Sequence, residues 1–266
     1  MADTLKEKKL YTAYLQKCSA HLDDMRILVR CWDSSSPVDE QKERIIQQNL
    51  LAKDTKSRVH DIFRCAFIPR FVKGSPPEAW KVARCLEDRG AAIEILKPLY
   101  YWITARGEFL LYQYVTEELM LQSRQYETVI TINETSRWIQ EKLAQSGQKW
   151  SENVVYRVAS GLLSSLRDFG ILEGKVQKRI ASQYIPIETF SFIVYILSSL
   201  GISGQNLLHH VDWKLFLMDV PVVERLLLEA HQYGFLSFSA AGKISRVDFK
   251  VMNMEEMADA ITGRAS

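Results

Sequence analysis

TINETSRWIQEKLAQSGQKWSENVVYRVASGLLSSLRDFGILEGKVQKRI, residues 131–180, is the stretch on which the fold reading turns. Thr131 followed three places later by Glu134 is a capping box, and it launches a helix whose inward residues are Trp138, Ile139 and Leu143. Gly147 stops that helix and Ser151 caps the next. Val155, Val158, Leu162, Leu166 and Phe169 then recur every three or four positions up to a C-terminal Gly170. Two short β-prone pieces flank a Gly turn in Ile171-Leu172-Glu173-Gly174-Lys175-Val176-Gln177-Lys178-Arg179-Ile180, which predicts a hairpin. Helix, turn, helix, hairpin is the order of elements in a winged helix-turn-helix.

The same order returns downstream. Helices are predicted from Pro186 to Leu200, Ser203 to His210 and Asp219 to Tyr233, the last stopped by Gly234 before a second β-prone stretch that turns at Gly242-Lys243. Asp168-Phe169-Gly170-Ile171-Leu172 matches Gln232-Tyr233-Gly234-Phe235-Leu236, and Gly174-Lys175-Val176 matches Gly242-Lys243-Ile244, a weak internal repeat of a helix-plus-wing unit. A short helix from Asn253 to Ile261 closes the reading.

Upstream everything reads as helix. Tyr11, Leu15, Cys18, Leu22, Met25, Val29 and Trp32 share one helical face and predict one long amphipathic helix from Tyr11 to Trp32. Ser36-Pro37-Val38-Asp39 opens a second, Thr55 a third that Pro69 disturbs, and Ser75-Pro76-Pro77-Glu78 a fourth closed by Gly90; two more lie between Ala91 and Arg124. The expectation is a mainly α protein: an all-helical segment 1–125, a winged helix-turn-helix-like unit 126–185, and a second helix-plus-hairpin unit 186–266 packed on it.

With 266 residues and 47% apolar side chains the chain is long enough to bury a full core without metals or disulfides. Cys18, Cys31, Cys65 and Cys85 fit neither a CxxC redox pair nor a zinc-knuckle spacing and read as free thiols of a reducing cytosol. The most apolar run, from Ile185 to Leu200, carries Glu188 and is short of the roughly 18 residues a membrane span needs. The charged N-terminus lacks an apolar stretch behind it and is not a signal peptide. A cytoplasmic protein with no membrane partner is expected.

The net charge of +2 hides two basic islands: Lys/Arg exceeds Asp/Glu by four in residues 53–73 and by three in 146–185, while the rest is neutral to acidic. The second island holds Arg157 and Arg167 on the outward face of the predicted helix, together with Asn153, Tyr156, Ser160 and Ser164, and Lys175, Lys178 and Arg179 in the wing. Small polar side chains punctuated by arginines suit close approach to a nucleic acid. The first island, Lys53, Lys56, Arg58, Arg64 and Arg70 with Lys73 and His60, clusters cations that would release counterions against a phosphate backbone. Any solvated helix face also looks like this, and Glu117, Glu118, Glu40 and Glu43 are available to neutralise the first island.

Catalytic constellations are missing. His209-His210 beside Asp212 has no HExxH or second ligand pair, and adjacent histidines project about 100° apart on a helix. No phosphate-binding glycine loop, dinucleotide fingerprint or nucleophile elbow is present. Glu117-Glu118 and Glu255-Glu256 are sequence neighbours and face apart, so no paired-carboxylate site forms. No enzyme, no cofactor and no metal is expected.

The chain also resembles the BrxA family of BREX (bacteriophage exclusion) phage-defence systems. The residues that carry this are Tyr11-Thr12-Ala13, Asn49-Leu50-Leu51, Arg70-Phe71, Arg157-Val158-Ala159 with Gly161-Leu162-Leu163, Leu166-Arg167-Asp168-Phe169-Gly170, Asp212-Trp213 and the run from Val223 to Gln232. The resemblance implies a compact helical bundle like the antitermination factor NusB with winged-helix-like units, double-stranded DNA as a partner, and other BREX proteins nearby. It transfers no active-site residues. The chain has Cys18-Ser19-Ala20 where members of that family often carry Gly-Gly. A DNA-binding accessory protein is the leading expectation; a protein–protein adaptor and NusB-like RNA binding are the alternatives.

Overall fold

The computed structural model describes residues 10–33, 35–125, 129–242 and 244–263. Lys243 of the second predicted hairpin and the charged residues 1–9 lie outside them. The chain enters as a strap over 10–20 with a 3-10 turn at Tyr14–Gln16, and only then forms α1 (Leu22–Cys31). The single helix expected from Tyr11 to Trp32 is therefore broken. Its carbonyls at the break are taken by distant arginines: Arg58 Nη1 donates to Lys17 O at 2.6 Å, and Arg70 donates from Nη1 to Ser19 O at 2.7 Å and from Nη2 to Cys18 O at 2.8 Å. His21 adopts a left-handed conformation (φ 50°) to turn the chain into α1. The predicted inward face survives the break, with Tyr11, Leu15, Cys18, Met25, Val29 and Trp32 buried and Leu22 partly buried.

After α2 (Val38–Gln47), Thr55 caps α3 (Lys56–Ile62) by accepting from the Arg58 N–H at 3.2 Å. Pro69 does not end this helix. The chain continues from Phe63 to Val72 as a π-helix, whose wider turns accommodate a residue that has no N–H to donate. Phe63, Phe67 and Phe71 stack inward from it, Phe67 meeting Trp32 edge-on at 5.0 Å between centroids. Next come α4 (Ala79–Glu87) and α5 (Ile93–Gly107). Leu99 to Ala105 of α5 are buried without interruption, the pattern of a helix surrounded on all sides. The segment ends with α6 (Phe109–Gln113), a π-helical turn at Tyr114–Leu119 and the short α7 (Met120–Gln122).

The decisive stretch folds as its sequence predicts. Thr131 and Glu134 form the capping box of α8 (Ile132–Ser146), Gly147 ends it in the left-handed region, and Ser151 caps α9 (Glu152–Phe169), which Gly170 ends at φ 85°. The hairpin is small, β1 (Leu172–Glu173) paired antiparallel with β2 (Arg179–Ile180), and Ile130 ahead of α8 adds a bridge to Lys178. Then α10 (Ile187–Ser199), α11 (Gly204–Leu208), a 3-10 segment at Val211–Phe216 and α12 (Val220–Gln232) lead to a longer hairpin, β3 (Ser237–Ala241) with β4 (Ile244–Asp248), and to α13 (Met254–Ile261). The protein is mainly α-helical, as expected.

The three expected segments share one continuous core. Tyr101 of α5 touches Phe169 of α9 at 5.4 Å and Phe216 at 5.6 Å between centroids. Two turns earlier on α9, Gly161 lets the strap come into backbone contact, since a Cβ there would overlap the Leu15 carbonyl oxygen.

Candidate nucleic-acid interface

The strap, α3 and α9 enclose a trough of about 430 Å³ that brings the two basic islands together. Arg58 reaches it from α3 and Arg157 from α9, over a floor of Ser160, Gly161 and Ser164, with Lys17, Ser19 and His21 along the strap wall. Tyr156, 53% exposed, stands beside Arg157. A second hollow of about 390 Å³ adjoins on the other flank of α9, bounded by Ile130–Ile132 and by Val176, Gln177 and Lys178 of the hairpin. Ser160 lines both, so the outward face of α9 is the shared floor between the strap and the hairpin.

The charges around this floor differ in their freedom. Among the described residues Lys56, Arg157, Lys175, Lys178 and Arg179 make no ion pair. Arg58 is held without being neutralised, its Nη2 donating to His21 Nε2 at 2.7 Å; the ring proton then sits on Nδ1, 2.7 Å from Asp24 Oδ2. Lys53 is taken by Asp24 at 2.8 Å, Arg64 shares Asp61 with Lys17, and Arg167 pairs with its neighbour Asp168 at 2.8 Å. Burial raises the Asp24 carboxyl, but hydrogen bonds from His21 and Lys53 overcome it and hold the group below the usual carboxylate range.

Arg70 is the clear correction. Predicted as a phosphate contact, it is 0% exposed, spending its guanidinium on the Cys18 and Ser19 carbonyls and lying 3.8 Å from Glu108. A buried cation cannot meet a polyanion; Arg70 instead fixes the strap that walls the trough. Of the remaining sequence candidates, Lys53, Lys56, Arg64, Arg167, Lys175 and Arg179 stand outside both hollows, while Arg58, Arg157 and Lys178 line them. Sequence reasoning missed Lys17, Ser19 and His21. The one signal for them was Gly161, a glycine in a helix interior that costs about 1 kcal/mol relative to alanine and so marks a close approach.

Glu108 lies under the strap, 2% exposed, accepting from Thr12 Oγ1 at 3.2 Å. Burial pushes its carboxyl up to about 7, against the pull of Arg70. A carboxyl that holds its proton more tightly folded than unfolded contributes stability in full below its unfolded value, and loses it as pH rises through the folded one. Thermal melts between about pH 5 and pH 8 should therefore show the wild type losing stability relative to Glu108→Gln as pH rises, and parallel curves would contradict it. Burial likewise raises the Cys18 and Cys85 thiols to about 11, leaving them unreactive. Among the described residues no three His, Cys, Asp or Glu side chains form a group that could hold a metal ion, and Asp212, whose N–H donates to His210 Nδ1 at 3.3 Å, spends its carboxylate on Trp102, Arg106 and Tyr112. No described helix is long and apolar enough to cross a membrane.

A model of the BrxA family matches residues 9–195, which includes the strap, α9 and the first hairpin. The chain belongs to the BrxA family. Membership assigns it a role associated with BREX systems and their components. Every residue lining the trough falls within the part that carries the BrxA match. No curated protein matches this BrxA chain.

Proposed function

We propose that this BrxA protein is a non-catalytic, cytoplasmic DNA-binding accessory of a BREX system. The observation that carries the reading is the convergence of Arg58 and Arg157, about a hundred residues apart in sequence and one from each basic island, on a single trough with a hydroxyl-bearing floor. Unpaired cations and serine hydroxyls are the groups that meet phosphate oxygens. The order of a bridging strand residue at Ile130, α8, α9 and a hairpin supports a winged-helix unit, in which the second helix and the wing flank a nucleic acid. The second helix-plus-hairpin, α12 with β3–β4, is read as a further copy of that unit, and the helices before residue 125 as a NusB-like bundle on resemblance alone.

Fluorescence-anisotropy titrations of the full chain with a labelled DNA duplex across a salt series test the proposal. Affinity should fall steeply with salt, and Arg157→Ala combined with Lys178→Ala should flatten the dependence by about 0.9 in the log–log slope for each phosphate that is no longer neutralised. Silence with DNA at low salt would exclude DNA binding and favour the adaptor reading. That reading draws support from an apolar hollow of about 380 Å³ between Tyr184, Ile185 and the outer residues Val222 and Leu226 of α12.

A further inference from the structure

We infer that the trough seats one sugar–phosphate strand of duplex DNA along α9, and that α9 does not enter the major groove. This rests on the DNA-binding reading above and concerns how the duplex is held. A winged-helix unit leads one to expect its second helix inside the major groove, with side chains on base edges. The geometry around α9 opposes that. An α-helix with its side chains is about 10–12 Å across, and the major groove of B-DNA is about 12 Å wide, so a helix enters with no room for a second backbone segment alongside it.

Here something stands on both sides. The strap lies in backbone contact with α9 at Gly161, close enough that no Cβ fits between them. It is not loosely placed: Tyr11 exchanges two hydrogen bonds with Gln148, and the buried Arg70 holds the Cys18 and Ser19 carbonyls. On the opposite flank the hairpin is tied back to the chain ahead of α8 by the Ile130 N–H to Lys178 O bond at 2.8 Å. The outward face of α9 is thus the floor of a channel, and a duplex that touches it must offer something narrower than a whole groove.

The lining matches a phosphodiester strand. Ser160 and Ser164 put short hydroxyls on the floor, Arg157 and Lys178 are free of carboxylate partners, and Arg58 faces Arg157 across the trough from the strap side. Between Ser160 and Ser164 the floor itself is short, with Gly161 there, and the long polar side chains Arg58 and Arg157 stand at its two margins, where a backbone strand seated on the floor would bring its phosphates. Binding in this mode carries no direct base readout, because bases are distinguished at groove edges and not at phosphates.

The test uses the full chain and three sets of labelled duplexes: an unmodified duplex, several of unrelated sequence, and one whose pyrimidines carry bulky C5 substituents that fill the major groove and leave the phosphates untouched. All should bind within about threefold of one another, whereas Ser160→Phe, which fills the floor with an exposed side chain, should weaken every one of them by at least about tenfold at unchanged melting temperature. A loss of more than about tenfold on the C5-substituted duplex, or a sequence preference of that size, overturns the seating and restores groove insertion. Binding confined to single strands also overturns it, while leaving DNA binding intact. Failure of every nucleic acid to bind at low salt removes the DNA-binding reading itself.

Discussion

Asp212→Ala should destabilise the protein by about 3–5 kcal/mol, the range found when one partner of a buried ion pair is removed. Asp212 is completely buried and accepts from Trp102 Nε1 at 2.7 Å, from Tyr112 Oη at 2.8 Å and from Arg106 Nη1. These donors come from α5 and α6, and Asp212 from the 3-10 segment about a hundred residues later, so the carboxylate ties the two halves of the core together. Removing it leaves the buried Trp102 indole N–H and the partly buried Tyr112 phenol and Arg106 guanidinium without their acceptor, and the desolvation cost falls most heavily on the indole. The Arg106 guanidinium keeps its bonds to Ser75, which hold it near its place. Urea denaturation monitored by tryptophan fluorescence reads the loss; a change below about 1 kcal/mol would contradict the network.

Arg70→Met is the second large effect, expected at about 3 kcal/mol near neutral pH and distinguishable from the first by where it acts. The strap loses its two internal donors, so amide hydrogen exchange over residues 10–20 should rise while α5 stays protected. The cost should also depend on pH. With Arg70 gone, Glu108 has no cation within reach, and its charged form becomes still less favourable in the folded state. Arg70→Met should therefore be milder near pH 5, where Glu108 carries its proton in both variants, and more severe near pH 8, where folding must either keep a proton or bury a bare carboxylate. A cost that is flat with pH would dissociate Arg70 from Glu108. On the DNA-binding function proposed above, loss of the strap wall should weaken binding as well, although Arg70 is buried behind the strap.

What was legible in the sequence follows the range of the forces involved. The capping box at Thr131, the serine cap at Ser151 and the left-handed stops at Gly147 and Gly170 are decided within four residues, and they appear where the sequence places them. The break in the first helix was illegible, because the donors that cause it lie 41 to 52 residues away in sequence. Nothing in the run from Lys53 to Lys73 marks Arg70 as the one cation that turns inward; its neighbour Phe71 and the π-helical turn through Pro69 rotate it to that side. The same long reach governs the candidate site. The outward residues of α9 could be read from periodicity, but the strap that walls them joins them only in the fold, and Lys17 and His21 acquire meaning there alone.

The contact of Tyr101 with both Phe169 and Phe216 bears on how the molecule can be dissected. A fragment cut to hold only the hairpin-bearing middle would carry Phe169 and the inner stripe of α9 to its surface as an aggregating face. Maps of function in this protein are accordingly best drawn by single side-chain replacement, since excision removes the scaffold together with the part it isolates.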